Sequence, residues 1–128
     1  CWINYDPKPY HNMNGSGCHC NYSTLQMRHG DSNGKGIDYI NDAILKLERN
    51  HKLHMDSYGE GNQERMTGKH ETANFSTFTS GKANRGASVR IGNDTVENQK
   101  GYFEDRRPAS NSDPYLVSML IFKTTCLE

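Results

Sequence analysis

Apolar residues are scarce in this chain. Only 33% of its 128 residues are hydrophobic, and the mean hydropathy is −0.93. That is polar for a domain folding around its own core. A chain of this length can bury roughly two thirds of its unfolded surface. The shortage therefore predicts packing surface supplied by another segment or subunit, or a surface that lines a wet site. Net charge is missing too: 15 Lys plus Arg balance 15 Asp plus Glu. Bulk charge then offers nothing to nucleic acid or to an anionic membrane, and neither is expected as a partner. The longest apolar stretch, near residues 115 to 122, falls far short of the roughly 20 residues of a membrane span. Four cysteines, Cys1, Cys18, Cys20 and Cys126, are too uneven for a disulfide-stapled secreted domain and predict a reduced intracellular chain. The opening CWINYDPKPY lacks the basic and apolar regions of a signal peptide. Cys rather than Met at position 1 leads us to expect a processed or truncated chain.

Several motifs are absent as well. Gly68-Lys69 and Gly81-Lys82 lack the spaced glycine and the following Ser or Thr of a P-loop. His70-Glu71 starts a zinc-protease helix motif, but Asn74 stands where the second His belongs. Cys18-His19-Cys20 offers zinc-type ligands, yet neighbours on a strand point to opposite faces and no second ligand pair follows.

Among what is present, one helix is clear. Ile37, Ile40, Ile44, Leu47, His51, Met55 and Tyr58 form an apolar stripe over residues 37–58 that ends at Gly59. Asp42 with Lys46, and Glu48 with Lys52, are spaced for ion pairs along it. Asp113 as N-cap and Pro114 at the first position start a second helix, apolar nearly all round and so expected to be buried. Strands are expected over Cys18–Ser23, over ASVRIG at 87–92 and at GYFEDRRP, 101–108. A turn is expected through Gly92, Asn93 and Asp94, and loops over 28–36 and most of 59–87.

GYFEDRRP reads either as a solvated loop or as a strand. As a strand it would place Tyr102, Glu104 and Arg106 on one face, and Phe103, Asp105 and Arg107 on the other. Arg85, Arg90, Arg106 and Arg107 interleave with Glu104 and Asp105. Arginines clamp phosphates and carboxylates, and carboxylates hold hard cations. The mixture suits a metal–phosphate site; exposed ion pairs are the plain alternative. His19, Asn21 and Ser23 would share a polar face of the earlier strand.

The stretches NGSGCHCNYST, YGEGNQERMTGKHETANF, ANRGASVRIG and GYFEDRRPASNSDPY, in this order and spacing, resemble glutamine synthetase of the eukaryotic-type class. The resemblance covers nearly the whole chain. It implies the later part of the family's C-terminal catalytic domain: an incomplete α+β domain, residues 1–128, with a curved antiparallel sheet lining the active site and helices outside. It implies ATP-dependent ligation of ammonia to the L-glutamate side chain through γ-glutamyl phosphate, with Mg2+ or Mn2+, in a cytoplasmic (or organellar) homo-oligomer of stacked rings. By position, Asn14 and Gly15 look like the glutamate-binding turn, and Arg65 like the arginine that holds glutamate. His19 and Glu104 look like metal ligands; Asn21, Ser23 and Tyr102 look like nucleotide contacts. Glu71 resembles the flap glutamate, Arg85 and Arg90 the phosphate-gripping pair, and Arg106 a clamp on glutamate or its phosphate. Met13 and Cys20 stand where the family usually has Trp and Thr. The family's other metal carboxylates and its small N-terminal domain lie upstream of the matched stretch, so the piece is expected to be inactive alone. The alternative is a glutamine-synthetase-like structural or assembly module without turnover, which would have no use for this charged set.

Overall fold

The computed structural model describes all 128 residues, Cys1–Glu128. The fold is α+β. Four three-residue strands, β1 (Cys20–Tyr22), β2 (Ser80–Lys82), β3 (Val89–Ile91) and β4 (Phe103–Asp105), form one open sheet in the order β1-β4-β3-β2. β4 is antiparallel to both its neighbours, whereas β2 and β3 run parallel. The sheet is therefore mixed, not wholly antiparallel as expected. Ser80–Lys82 returns to the sheet edge through a loop that has no strand-like sequence pattern.

The apolar stripe builds two helices, not one: α2 (Gly36–Arg49) and α3 (His51–Met55). Between them Asn50 leaves helical geometry, and its Nδ2 donates to the Lys46 carbonyl at 3.0 Å. A short amide side chain bonding back to the backbone is a known competitor of helix continuation. Lys46 pairs with Asp42 as expected, at 3.2 Å, but Lys52 lies past the break and pairs with Asp56 at 2.6 Å rather than with Glu48. Three short helices were not expected: α4 (Asn62–Arg65) lies within the expected loop 59–87, α1 (Leu25–His29) runs into the expected loop 28–36, and α5 (Asn93–Asn98) extends from the expected turn.

The last helix, α6 (Pro114–Phe122), starts as the sequence dictates, with Asp113 accepting from Tyr115 N–H at 2.9 Å. A π-helical turn, Lys123–Leu127, follows. Only one side of α6 is covered: Val117, Leu120 and Ile121 are buried, while Tyr115, Met119 and Phe122 are exposed. An all-apolar helix buries only the faces for which this chain has a partner. Ile40, Leu47, Val89, Phe103 and Ile121 lie in a core that also takes in fully buried His54, Asn62, Asp105, Arg107 and Thr124. A polar core is how so polar a sequence closes on itself, and it demands that every buried polar group be paired.

Candidate active site

Strand pairing gathers the site. Asn21, Glu104, Arg90 and Gly81 stand in register, one on each of β1, β4, β3 and β2. Equivalent positions on paired strands share a face, so a carboxylate and an arginine meet at the middle of the sheet. Arg90 Nε donates to Glu104 Oε2 at 2.7 Å, and Arg106 Nη1 reaches Glu104 Oε1 at 3.4 Å. His19 Nδ1 donates to Glu104 Oε1 at 3.0 Å. GYFEDRRP is thus a strand at its centre, with Glu104 as the hub of three basic groups.

A bulge adjoins this pairing. Cys20 pairs with Asp105, yet Gly17 pairs with Ala109. Two residues, Cys18 and His19, therefore face three, Arg106 to Pro108. Such an insertion kinks a strand; it starts just past Cys20 and Asp105, and both Arg106 and His19 reach Glu104 on the face that plain alternation assigns them.

Arg65 approaches from below. It is almost fully buried, and its Nη2 donates to the Arg107 carbonyl at 2.9 Å and to those of Arg106 and Pro108 at 3.3 Å. Its Nε is held by Asn62 Oδ1 at 3.0 Å. These bonds carry the bulge, while Nη1 makes no hydrogen bond to protein. Burial, with the Arg106 charge beside it, lowers the Arg65 pKa to about 10. Gly17 runs between Arg65 and His19: a Cβ there would stand 2.8 Å from Arg65 Nη1 and 3.0 Å from His19 Nε2. At Gly15 a Cβ would come within 2.5 Å of both Arg65 Cγ and the Pro7 carbonyl. These are close approaches that only glycine permits. The Asn14–Gly15 turn therefore sits on the stem of Arg65.

Glu71 lies on a loop closed by a bridge between Thr67 and Asn74. His70 and Glu71 both have positive φ, 54° and 60°, an unfavourable region for residues other than glycine. Two contacts tie Glu71 to the site: Arg106 Nη2 donates to its carbonyl at 3.1 Å, and Arg85 Nη1 to its carboxylate at 3.3 Å. Arg85 does not reach Glu104; it and Glu71 are both 64% exposed, so their pair is a solvated one. On the flank of this loop opens a cleft of about 770 Å3, bordered by Lys8, His11, Lys69 and His70.

At the other end of the row, Tyr102 is partly exposed, and the Arg28 guanidinium lies 5.2 Å from its ring centroid. Arg28 Nε also donates to Ser23 Oγ at 2.8 Å. Arg28 was not among the sequence candidates. It belongs to α1, and the one available signal was Thr24, whose hydroxyl caps that helix by accepting from Met27 N–H at 3.2 Å.

The electrostatics are unbalanced toward positive charge. Burial, and then the Arg106 charge, lower the His19 pKa against the opposing pull of Glu104. Arg106 Nε is buried and has no hydrogen-bond partner. A cationic pocket with an unused buried donor suits an anionic ligand. No three His, Cys, Asp or Glu side chains converge on a point; His19 and Glu104 pair without a third such group.

No protein-family model matches the chain. Curated relatives do. The cytosolic isozyme 1-3 of glutamine synthetase from Arabidopsis thaliana is 57% identical over 126 residues, which are 98% of this chain and 34% of that protein. Glutamine synthetase N-1 from Phaseolus vulgaris and the cytosolic isozyme from Pinus sylvestris are each 56% identical over the same shares. The chain is homologous to the later part of eukaryotic-type glutamine synthetases. It spans about a third of the length of these relatives. Of the candidates read from the sequence, His19, Arg90 and Arg106 meet at Glu104, Arg65 with the Asn14–Gly15 turn lies beside the bulge, and Glu71 with Arg85 forms a solvated pair; Asn21 is in register with Glu104, and Tyr102 and Ser23 lie with Arg28 at the far end.

Proposed function

We propose that this chain is part of an ATP-dependent ligase that joins ammonia to the side-chain carboxylate of L-glutamate through γ-glutamyl phosphate, giving glutamine, ADP and phosphate. The observation that carries the reading is the Glu104 hub, where an imidazole and two guanidiniums meet one carboxylate. Phosphoryl transfer requires positioned positive charge around the moving oxygens. In this reading Arg90, with Arg85, grips ATP phosphates. Arg106 and the free Nη1 of Arg65 face the glutamate, which the Asn14–Gly15 turn borders. Tyr102, Asn21 and Ser23 line the nucleotide end.

His19 and Glu104 suit Mg2+ or Mn2+ in donor type, an imidazole nitrogen and a carboxylate oxygen. Two donors are only part of the six or so ligands, roughly, that such ions take. The remaining donors would come from residues outside this chain. The bound ion would supply further charge neutralisation at the phosphates. Glu71 would close over an acyl phosphate and keep water away; the grip of Arg106 on its carbonyl supports that role. A cytoplasmic homo-oligomer of stacked rings completes the proposal, and the cytosolic relatives support the compartment.

The test is glutamine or γ-glutamyl hydroxamate formation with ATP and Mg2+. A full-length polypeptide carrying this segment should produce it, and the 128-residue chain alone should not. A silent full-length protein would overturn the enzymatic reading in favour of a non-catalytic module. Turnover by the short chain would overturn the incompleteness of its site.

A further inference from the structure

The Cys18-His19-Cys20 motif is only partly used by the site, since His19 alone meets Glu104. All four cysteines are free thiols. Cys18 is exposed and Cys20 half-buried, and both border the same small cavity, about 100 Å3, under the start of α6 at Pro114 and Val117. The two cysteines therefore flank His19 and border one hollow. Cys20 opens β1, while Cys18 lies outside the regular strand and opposite the bulge. Across the bulge, Cys18 N–H donates to the Pro108 carbonyl at 2.9 Å.

We propose that Cys18 and Cys20 form a reversible thiol–disulfide switch that acts on His19. Residues two apart on an extended chain are about 6.6 Å apart at Cα. A disulfide accepts up to about 6.8 Å and prefers about 5.5–6 Å. Closing the bond thus shortens the segment and strains it, and strained, accessible disulfides are the labile ones. The co-reactant is a low-molecular-weight disulfide of the glutathione class. The Cys18 thiolate attacks one of its sulfurs and expels one thiolate, leaving a mixed disulfide. The Cys20 thiolate then attacks Cys18 Sγ and expels the second. Two protein thiols are oxidised, the reagent is reduced to two thiols, and the two protons pass to these thiols or to solvent. The residue that must move as the segment shortens is His19, so the oxidised form loses the 3.0 Å hydrogen bond to Glu104. Any effect on catalysis rests on the roles proposed above for His19 and Glu104. The tests read thiols and an imidazole, so they succeed or fail independently of that reading.

The 128-residue chain is equilibrated with graded ratios of oxidised to reduced glutathione, and its proteolytic peptides are weighed. The peptide holding Cys18 and Cys20 should lose two hydrogens at a ratio about tenfold below that which modifies Cys126, because the second step is intramolecular. Cys20→Ser should instead leave a glutathione adduct on Cys18. A persistent adduct on Cys18 in the unsubstituted chain, or modification of Cys126 first, would overturn the proposal. In parallel, the His19 ring signals are followed by NMR with and without Glu104→Gln. That substitution should shift them in the reduced chain and leave them unmoved in the oxidised one. An equal shift in both states would overturn the coupling to His19.

Discussion

β4 and the residues after it carry the same charged types on both faces, with opposite outcomes. On the buried face, Arg107 Nε donates to Asp105 Oδ1 and Nη2 to Oδ2, each at 2.8 Å. Tyr58 O–H adds a third donor to Asp105 at 2.9 Å, and Arg107 Nη1 donates to His51 Nδ1 at 3.0 Å. His51 must therefore be neutral with its proton on Nε2, which donates to the Phe75 carbonyl at 2.9 Å. Since the Tyr58 proton goes to Asp105, Tyr58 Oη accepts from His54 Nδ1 at 2.6 Å, and His54 Nε2 accepts from Thr124 at 2.8 Å. One run of hydrogen bonds fixes two tautomers and fills the polar core. On the open face, Glu104 is shared by Arg90, Arg106 and His19, the first and last about a third exposed, and Arg106 keeps an unpaired donor. A closed face holds the strand, and an unfinished face is what a ligand can complete.

The sharpest way to break this contrast is Arg107→Ala. It strands the Asp105 carboxylate in the interior, and losing one partner of a buried pair costs about 3–5 kcal/mol. Urea midpoints should show that loss. A change below about 1 kcal/mol, typical of exposed pairs, would mean that the two faces are energetically alike.

Acid comes next. Burial holds the His54 pKa at about 4 against an ordinary 6.5. Above 6.5 the ring is neutral whether the chain is folded or unfolded. Between 6.5 and about 4 the unfolded chain takes up a proton that the folded one refuses, so stability falls as pH falls. His51 and His19, also lowered chiefly by burial, add to the same slope. Burial by itself would raise the Asp105 pKa, but Arg107 holds it below 3.8, so its contribution is lost only at still lower pH. His54→Gln should flatten the slope between pH 6.5 and 4; an unchanged slope would remove His54 from this account.

Tyr58→Phe deletes one donor to Asp105 and one acceptor from His54, and should cost about 1.5–3 kcal/mol. The smallest effect on stability is expected for Glu104→Gln. Its carboxylate is buried, but Arg90 and His19 stay about a third exposed and Gln keeps an acceptor there, so folding should change by no more than about 1.5 kcal/mol. Mn2+ binding by the full-length protein should nevertheless be lost. Unchanged Mn2+ affinity would remove Glu104 from the metal site, and a large folding penalty would blur the distinction between the faces.

The alternation in GYFEDRRP makes both faces legible in the sequence, because a period of two needs no tertiary information. The same applies to the N-cap Asp113. The bulge was not legible: nothing in Arg106-Arg107-Pro108 announces a register shift that depends on residues 17–20, nearly ninety positions away. Nor was α5, an Asn- and Asp-rich segment of weak helix formers with no side-chain cap. Its helix is set by packing: Thr95 is buried, and its hydroxyl donates to the Tyr102 carbonyl at 3.4 Å. Arg65 illustrates a subtler gap. Its type and position suggested a ligand contact, but only the fold reveals that three of its four hydrogen bonds, all from Nη2, hold the backbone of the bulge.

The pairing of His19 with Glu104, 85 positions apart, also sets a clock on biosynthesis. A ribosome adding about 5–20 residues per second needs roughly 4–17 s to cover that distance. Throughout that interval the newly made β1 has no β4 beside it, and the Cys-His-Cys segment waits without its acidic partner. The first-made strand of the sheet thus waits for the last-made one, and the nascent chain must keep an unpaired strand from other partners until β4 emerges.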